Sequence, residues 1–242
     1  LLWEFHTVPR QGELGADTWG NETWRDNGNT NVWAPISADE TLGSVYLPIS
    51  CPTNNYYGGQ RPGDNLFANS VVSLDCQTGQ RNWHYQTVHH DIWDYDLPAA
   101  PILMDITVNN QPVRALAQLS KQGFVYVLDR VSGQPVWPIV EMPMPASTVP
   151  GEATSPTQPI PTKPPPFVRQ GSVRSEFIDP ASAAGYDVGP LYTPPTINGL
   201  IVTPGEGGGA NWGGGSYDPT TQTLYVNGFG PLTHLVALEA GT

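Results

Sequence analysis

Short apolar runs alternate with turn residues along the whole chain, and one pattern recurs. Val71-Val72-Ser73-Leu74-Asp75 is followed by Cys76-Gln77-Thr78-Gly79 and then by Trp83. Val125-Tyr126-Val127-Leu128-Asp129 is followed by Arg130-Val131-Ser132-Gly133 and then by Trp137. In both copies the Trp stands eight residues after the Asp. Leu235-Val236-Ala237-Leu238-Glu239-Ala240-Gly241-Thr242 begins like a third copy, and Leu1-Leu2-Trp3-Glu4-Phe5 ends like an earlier one. The pattern predicts a hairpin. An apolar strand comes first, Asp and Ser/Thr cap the turn, and Gly supplies the positive φ. The Trp then opens the return strand and can lie over the turn of a neighbouring unit.

Further strands are predicted over 32–37, 43–48, 101–107, 113–119 and 224–227, with a turn at Asp218-Pro219-Thr220-Thr221. About four short strands gather around each signature, which predicts an all-β protein with radial sheets. We read it as a partial β-propeller of about three blades, over 30–90, 98–140 and 190–242; a β-sandwich with similar hairpins is the alternative. Nine prolines between Met142 and Phe167 exclude a helix or a central strand there. That stretch, 142–167, is expected to be an extended loop between blades.

Composition removes several classes. Gly and Pro number 26 each in 242 residues, too many breakers for a helical bundle. Charged residues are 13% and the net charge is −12, while 8 Trp and 10 Tyr argue against a disordered acidic tail. No basic cluster exists to meet a nucleic acid, and no run approaches the roughly 20 apolar residues of a membrane span. The chain begins at Leu1 and stops inside the repeat pattern, so we expect the middle of a longer protein, with any targeting or membrane segment upstream. Cys51 and Cys76 match no metal or redox spacing. They read as free thiols on opposite rims of the sheets, with a structural disulfide as the alternative.

Chemistry concentrates in three places. His89-His90-Asp91-Ile92-Trp93-Asp94-Tyr95-Asp96 follows a strand and suits a metal site or acid–base work, or only turn capping. Pro204 to Gly215 is glycine-rich, so its backbone can approach a flat ligand closely, or serve as a connector. Trp33, in Asn31-Val32-Trp33-Ala34-Pro35, is a stacking platform or ordinary core.

Taken together these residues resemble the pyrroloquinoline quinone (PQQ) dependent dehydrogenases, most nearly their membrane-bound glucose, quinate and polyol branch. The resemblance rests on residues 89–98, on Lys121-Gln122-Gly123 placed 27 residues after Asp94, and on Asn31 to Pro35. Arg61-Pro62-Gly63-Asp64-Asn65, Pro156-Thr157-Gln158-Pro159, Thr193-Pro194-Pro195 and Asn211-Trp212-Gly213-Gly214 add to it, as does the tryptophan-docking repeat. It implies an eight-bladed propeller with PQQ on its axis, of which this chain is less than half. It implies Asp94 as general base, Lys121 on the quinone oxygens and Trp33 stacked under the cofactor. Asn211, Trp212 and Asn227 would lie near PQQ, and Thr53 would ligate a Ca2+ or Mg2+ ion. These groups should converge around an open cavity.

The implied reaction oxidises a sugar or polyol on the periplasmic side of a bacterial inner membrane and passes electrons to membrane ubiquinone. Membrane contact would be made only by regions outside this chain, and the piece alone is expected to be inactive. Lys rather than Arg at 121 and the surroundings of Thr53 favour this branch over an alcohol dehydrogenase with a haem acceptor. A non-catalytic scaffold propeller is the other alternative. The family's upstream acidic metal ligand and adjacent-cysteine pair are not in this chain.

Overall fold

Thirteen strands organise the described residues of the computed structural model, which are 1–177, 179–230 and 233–239. Strands β1 (Ser37–Asp39), β2 (Ser44–Pro48), β3 (Ser70–Asp75) and β4 (Arg81–Gln86) form one antiparallel sheet in that order. β5 (Ile102–Val108), β6 (Gln111–Leu119) and β7 (Val125–Asp129) form the next. β8 (Ile139–Pro143) pairs with β9 (Thr157–Pro161), β10 (Leu200–Val202) with β13 (His234–Val236), and β11 (Gly215–Asp218) with β12 (Thr223–Val226). The helical elements among the described residues are short 3₁₀ turns.

The sheets meet along their first strands. β1 lies beside β5, and β5 beside β11. Ser37 Oγ donates to Pro101 O at 2.5 Å, and Tyr217 OH donates to Asp105 O at 2.7 Å. β3 and β7 are buried on nearly every residue, because each is covered on both faces, so they read as continuous apolar runs rather than alternating ones.

The repeated signature is a docking device. Asp75 Oδ1 accepts from Gln77 N, Thr78 N and Thr78 Oγ1, and Asp129 Oδ1 accepts from Val131 N, Ser132 N and Ser132 Oγ. Trp3 lies over the first turn and donates Nε1–H to Cys76 O at 3.0 Å. Trp83 lies over the second and donates to Arg130 O at 3.1 Å. The two turn glycines have φ of 70° and 74°. A Cβ on Gly79 would sit 2.5 Å from the Trp3 ring, and one on Gly133 2.6 Å from the Trp83 ring. Glycine is thus required twice over, by the backbone and by the indole above it.

Several expected elements differ. The strand over 32–37 begins only at Ser37, because Pro35 has no N–H to offer a ladder and Asn31 is already bonded to Ser50. Trp137 opens no strand. Pro135 makes a single bridge to Leu128, Pro138 interrupts the run, and β8 turns away to pair with β9. That ladder lies largely within the proline-rich stretch, which is therefore partly sheet. The third signature supplies β13, which pairs with β10 rather than β12; its residues 240–242 lie outside the described residues. Cys51 and Cys76 are both free.

Arg130 locks two sheets together. Its Nε is 2.8 Å from Asp39 Oδ2, and its Nη1 is 2.7 Å from Asp105 Oδ1 and 2.9 Å from Met104 O. Burial would raise the Asp39 carboxyl, but hydrogen bonds from Arg130, Leu42 N and Thr41 N more than offset it and hold it below its ordinary value. The stabilisation is therefore complete above the ordinary carboxylate pKa, near 4, and is lost as pH falls through the lower folded value. Arg130→Ala should cost about 2 kcal/mol in urea unfolding, less than a fully buried pair because the Asp105 end is open to water. Asp39→Asn should flatten the fall of stability below about pH 4. An unchanged unfolding midpoint in both variants would remove the lock from the account.

Candidate active site

The ends of β2, β4 and β6 and the starts of β3, β5 and β7 lie on one rim, because each pair is antiparallel. The tight turns, including Cys76, lie on the other. Three connections on the first rim carry the chemistry: residues 49–69, 87–101 and 120–124.

Asp91 organises the second connection. Its Oδ1 accepts from Trp93 N, and its Oδ2 accepts from Tyr95 N and Asn69 Nδ2, each at 2.8 Å. Burial pushes this carboxyl up to about 6; Asp94 and Asp96 add to the rise while the N–H donors oppose it. Arg61, fully buried, ties the first connection to the second. It donates from Nε to Thr53 O, from Nη1 to Asn65 Oδ1, and from Nη2 to both Asn54 O and Asp91 O, over 2.5–2.9 Å. Glu152, from the proline-rich stretch, is a further strap. Its Oε1 is 2.7 Å from His90 Nε2 and its Oε2 accepts from Gly58 N at 2.5 Å. Burial raises the Glu152 carboxyl, and the bonds to His90 and Gly58 bring it below its ordinary value.

This scaffold holds Asp94 at φ 62°, in the left-handed region that Asp tolerates better than most residues. Asp94 Oδ2 is 2.8 Å from Lys121 Nζ, and Asp96 Oδ2 is 2.7 Å from the same nitrogen. Cys51 bridges the two carboxylates from the other side, donating N–H to Asp96 Oδ1 at 2.7 Å and its thiol to Asp94 Oδ1 at 3.3 Å. Burial would lower the Lys121 ammonium, but Asp96 and Asp94 outweigh it and raise it. Burial, with Asp96 beside it, lifts the Asp94 carboxyl despite Lys121. One cation facing two anions leaves a net negative charge, so the ammonium keeps its proton and Asp94 gains proton affinity.

Asp94 and Lys121 are thus brought into direct contact. Their side chains are 12% and 6% exposed and turned on each other, so they do not line the expected open cavity. The glycine-rich run is explained by Lys121. Gly209 N donates to Lys121 O at 2.7 Å, and a Cβ on Gly208 would sit 2.6 Å from Lys121 Cγ. Asn211 lies two residues further on, with its side chain bonded inside its own loop, to Gly207 O and Trp212 N. Asn227 N donates to Gly214 O at 3.1 Å, which places it on the same loop. Trp212 is 76% exposed and Trp33 44%, so Trp33 is not core. Asn31, two residues before Trp33, accepts from Ser50 N, beside Cys51. Thr53 is exposed and held by its backbone.

Two participants escaped the sequence reading. Asp96 was read only as one member of the cluster over 89–96 and was given no role of its own. Cys51 looked like an ordinary thiol, and only the fold brings it to Asp94. With Asp94 and Asp96 it presents donor atoms within 4.8 Å of one another, a grouping able to hold a cation.

The sequence pattern of a known family, the PQQ glucose/ethanol/alcohol dehydrogenase β-propeller domain, matches residues 1–239. The quinoprotein glucose dehydrogenase of Escherichia coli K12 is 36% identical over 236 residues, covering 94% of this chain and 29% of that protein. The glycerol dehydrogenase large subunit of Gluconobacter oxydans is 36% identical over 248 residues, covering 94% of this chain and 32% of that one. The quinate/shikimate dehydrogenase (quinone) of Acinetobacter baylyi is 34% identical, covering 82% and 26%. Among solved structures, the quinohemoprotein alcohol dehydrogenase of Comamonas testosteroni superposes with a TM-score of 0.61 at 25% identity, over 88% of this chain and 28% of that one. This chain spans about a third or less of each of these proteins. Its sheets are part of a β-propeller, and the chain belongs to the PQQ glucose/ethanol/alcohol dehydrogenase β-propeller family.

Proposed function

We propose that this chain is part of a quinoprotein dehydrogenase that oxidises a sugar or polyol hydroxyl with PQQ and passes the electrons to membrane ubiquinone on the periplasmic side of a bacterial inner membrane. Its blades would run over about 30–90, 98–140 and 190–242. The observation that carries the reading is the Lys121 ammonium held between Asp94 and Asp96 on one rim. The residues there fit the cofactor by their chemistry. A buried ammonium suits anionic quinone oxygens, the exposed indole of Trp33 suits a flat ring system, and Thr53 with the carboxylates suits Ca2+ or Mg2+. When bound, PQQ supplies the hydride acceptor.

Lys121 would donate to the quinone oxygens, where its fixed charge stabilises the electron-rich form. Asp94 would take the proton of the substrate hydroxyl, and its raised proton affinity suits it to that work. Asp96 keeps a counter-charge on Lys121 after Asp94 is neutralised. Asn211, Trp212 and Asn227 would border the cofactor from the glycine-rich side. Glucose, glycerol and quinate enzymes match at 34–36% identity, against 28% for a quinohemoprotein alcohol dehydrogenase of Pseudomonas putida; this supports the sugar and polyol branch over the haem-linked one. A scaffold propeller would have no use for three charges buried together.

In the full-length protein loaded with PQQ and Ca2+ or Mg2+, dye-linked turnover should fall by about a thousandfold in Asp94→Asn while PQQ still binds. Lost binding with turnover intact would contradict the role of Asp94. Trp33→Ala should weaken PQQ binding by about tenfold in a fluorescence titration; an unchanged affinity would take Trp33 away from the cofactor.

A further inference from the structure

Two of the loops that hold the charged pair also meet each other, at Tyr56 and Glu206. Tyr56 OH donates to Glu206 Oε2 at 3.0 Å, and Glu206 Oε1 lies 3.5 Å from His234 Nδ1. Tyr56 follows Asn55, whose Oδ1 is 3.9 Å from the Cys51 thiol, and that thiol reaches Asp94 Oδ1 at 3.3 Å. Glu206 sits in the turn closed by Gly208 N and Gly205 O at 2.8 Å, and the next amide, Gly209 N, donates to Lys121 O at 2.7 Å. One loop therefore joins Cys51, against Asp94, to Tyr56, and the other joins Gly209, against Lys121, to Glu206. Tyr56 is anchored by its ring, which packs on the cluster containing Trp93 and Tyr95. Burial raises its phenol, and the charges of Asp94 and Glu206 raise it further, so the group stays a hydroxyl and feels Asp94.

Glu206 and His234 differ from Asp94 and Lys121 in being open. The Glu206 side chain is 53% exposed and that of His234 is 43% exposed. Tyr56 holds one carboxylate oxygen of Glu206 and His234 lies at 3.5 Å from the other, yet a carboxylate has about four acceptor positions and the two groups leave some of them open. A ligand carrying O–H groups can supply the remaining donors, and the charge of Asp94 is felt at Tyr56. Trp212, 76% exposed on the same loop, adds an apolar face of the kind that C–H-rich rings pack against.

The geometry points to Tyr56 and Glu206 as a recognition subsite for the non-reacting hydroxyls of a polyol, engaged while a second hydroxyl of the same molecule lies at Asp94. This deepens the dehydrogenase reading and rests on it. A carboxylate placed to accept from a substrate O–H favours a molecule that carries it over an analogue that lacks it, by the worth of one hydrogen bond to a charged acceptor, since water can reach this half-exposed group. A monohydric alcohol would occupy Asp94 and leave Glu206 to water.

The test uses the full-length protein reconstituted with PQQ and Ca2+, with Glu206→Gln and Tyr56→Phe beside wild type. Dye-linked kcat/KM is measured for sugars, polyols and monohydric alcohols, and polyol binding to the cofactor-free protein is measured by titration calorimetry. Thermal melts show that the variants fold. The ratio of kcat/KM for polyol over monohydric alcohol should fall by about tenfold or more in Glu206→Gln and by a smaller factor in Tyr56→Phe. Polyol binding should weaken in parallel. An active wild type whose ratio is unchanged in both variants overturns the subsite and leaves the dehydrogenase reading standing, and one that accepts monohydric alcohols alone overturns the subsite together with the sugar and polyol assignment. A wild type that oxidises none of the panel overturns both.

Discussion

A single ammonium held between two buried carboxylates is the constraint around which the rim is built. Taking Lys121, Asp94 and Asp96 out of water is costly, and the cost is recovered only when geometry is good and remaining lone pairs are filled. Cys51 fills two of them, one from its amide and one from its thiol. The rest of the rim positions these four residues. Asp91 folds the loop that carries Asp94 and Asp96, Arg61 ties that loop to the segment after Cys51, and Glu152 pins both through His90 and Gly58. Charges this deep sit where a change of partner changes proton affinity most, which is what a base and an oxyanion donor require.

Two sheets build the site between them, the first supplying Cys51, Asp94 and Asp96 and the second Lys121. Cys51 follows β2, Asp94 and Asp96 follow β4, and Lys121 follows β6. No sheet alone could assemble the cluster, so the interfaces between sheets set its precision. Those interfaces are held on the far rim, by Trp3 and Trp83 over the turn glycines and by Arg130 against Asp39. Packing on one edge of the sheets thus fixes distances on the other.

Much of this was legible in the sequence where the physics is local. The Asp-x-x-(Ser/Thr)-Gly turn and its distant Trp predicted both turns, the hairpin of β3 and β4, and the docking of Trp83 on the next turn, because the turn needs Asp, Ser/Thr and Gly for separate reasons. Asp94 and Lys121 were named in advance through a family resemblance, not through spacing, since 27 residues and two strands separate them. What was not legible depended on long-range closure. Cys51 meets Asp94 only when β2 and β4 end on one rim, and Glu152 reaches His90 only when the proline-rich stretch folds back. The strand expected at Trp137 failed for a local reason, Pro135 and Pro138 on either side of it, that outweighed the repeat.

The central claim is that Lys121 is the cation on which the cofactor is oriented. A crystal structure of the full-length protein with PQQ tests it most directly. The account predicts Lys121 Nζ within about 3.2 Å of a quinone oxygen, with Asp94 released from the pair toward the substrate side and Trp33 against the ring. PQQ bound elsewhere, or bound on this rim with Lys121 still closed on both Asp94 and Asp96, would contradict it.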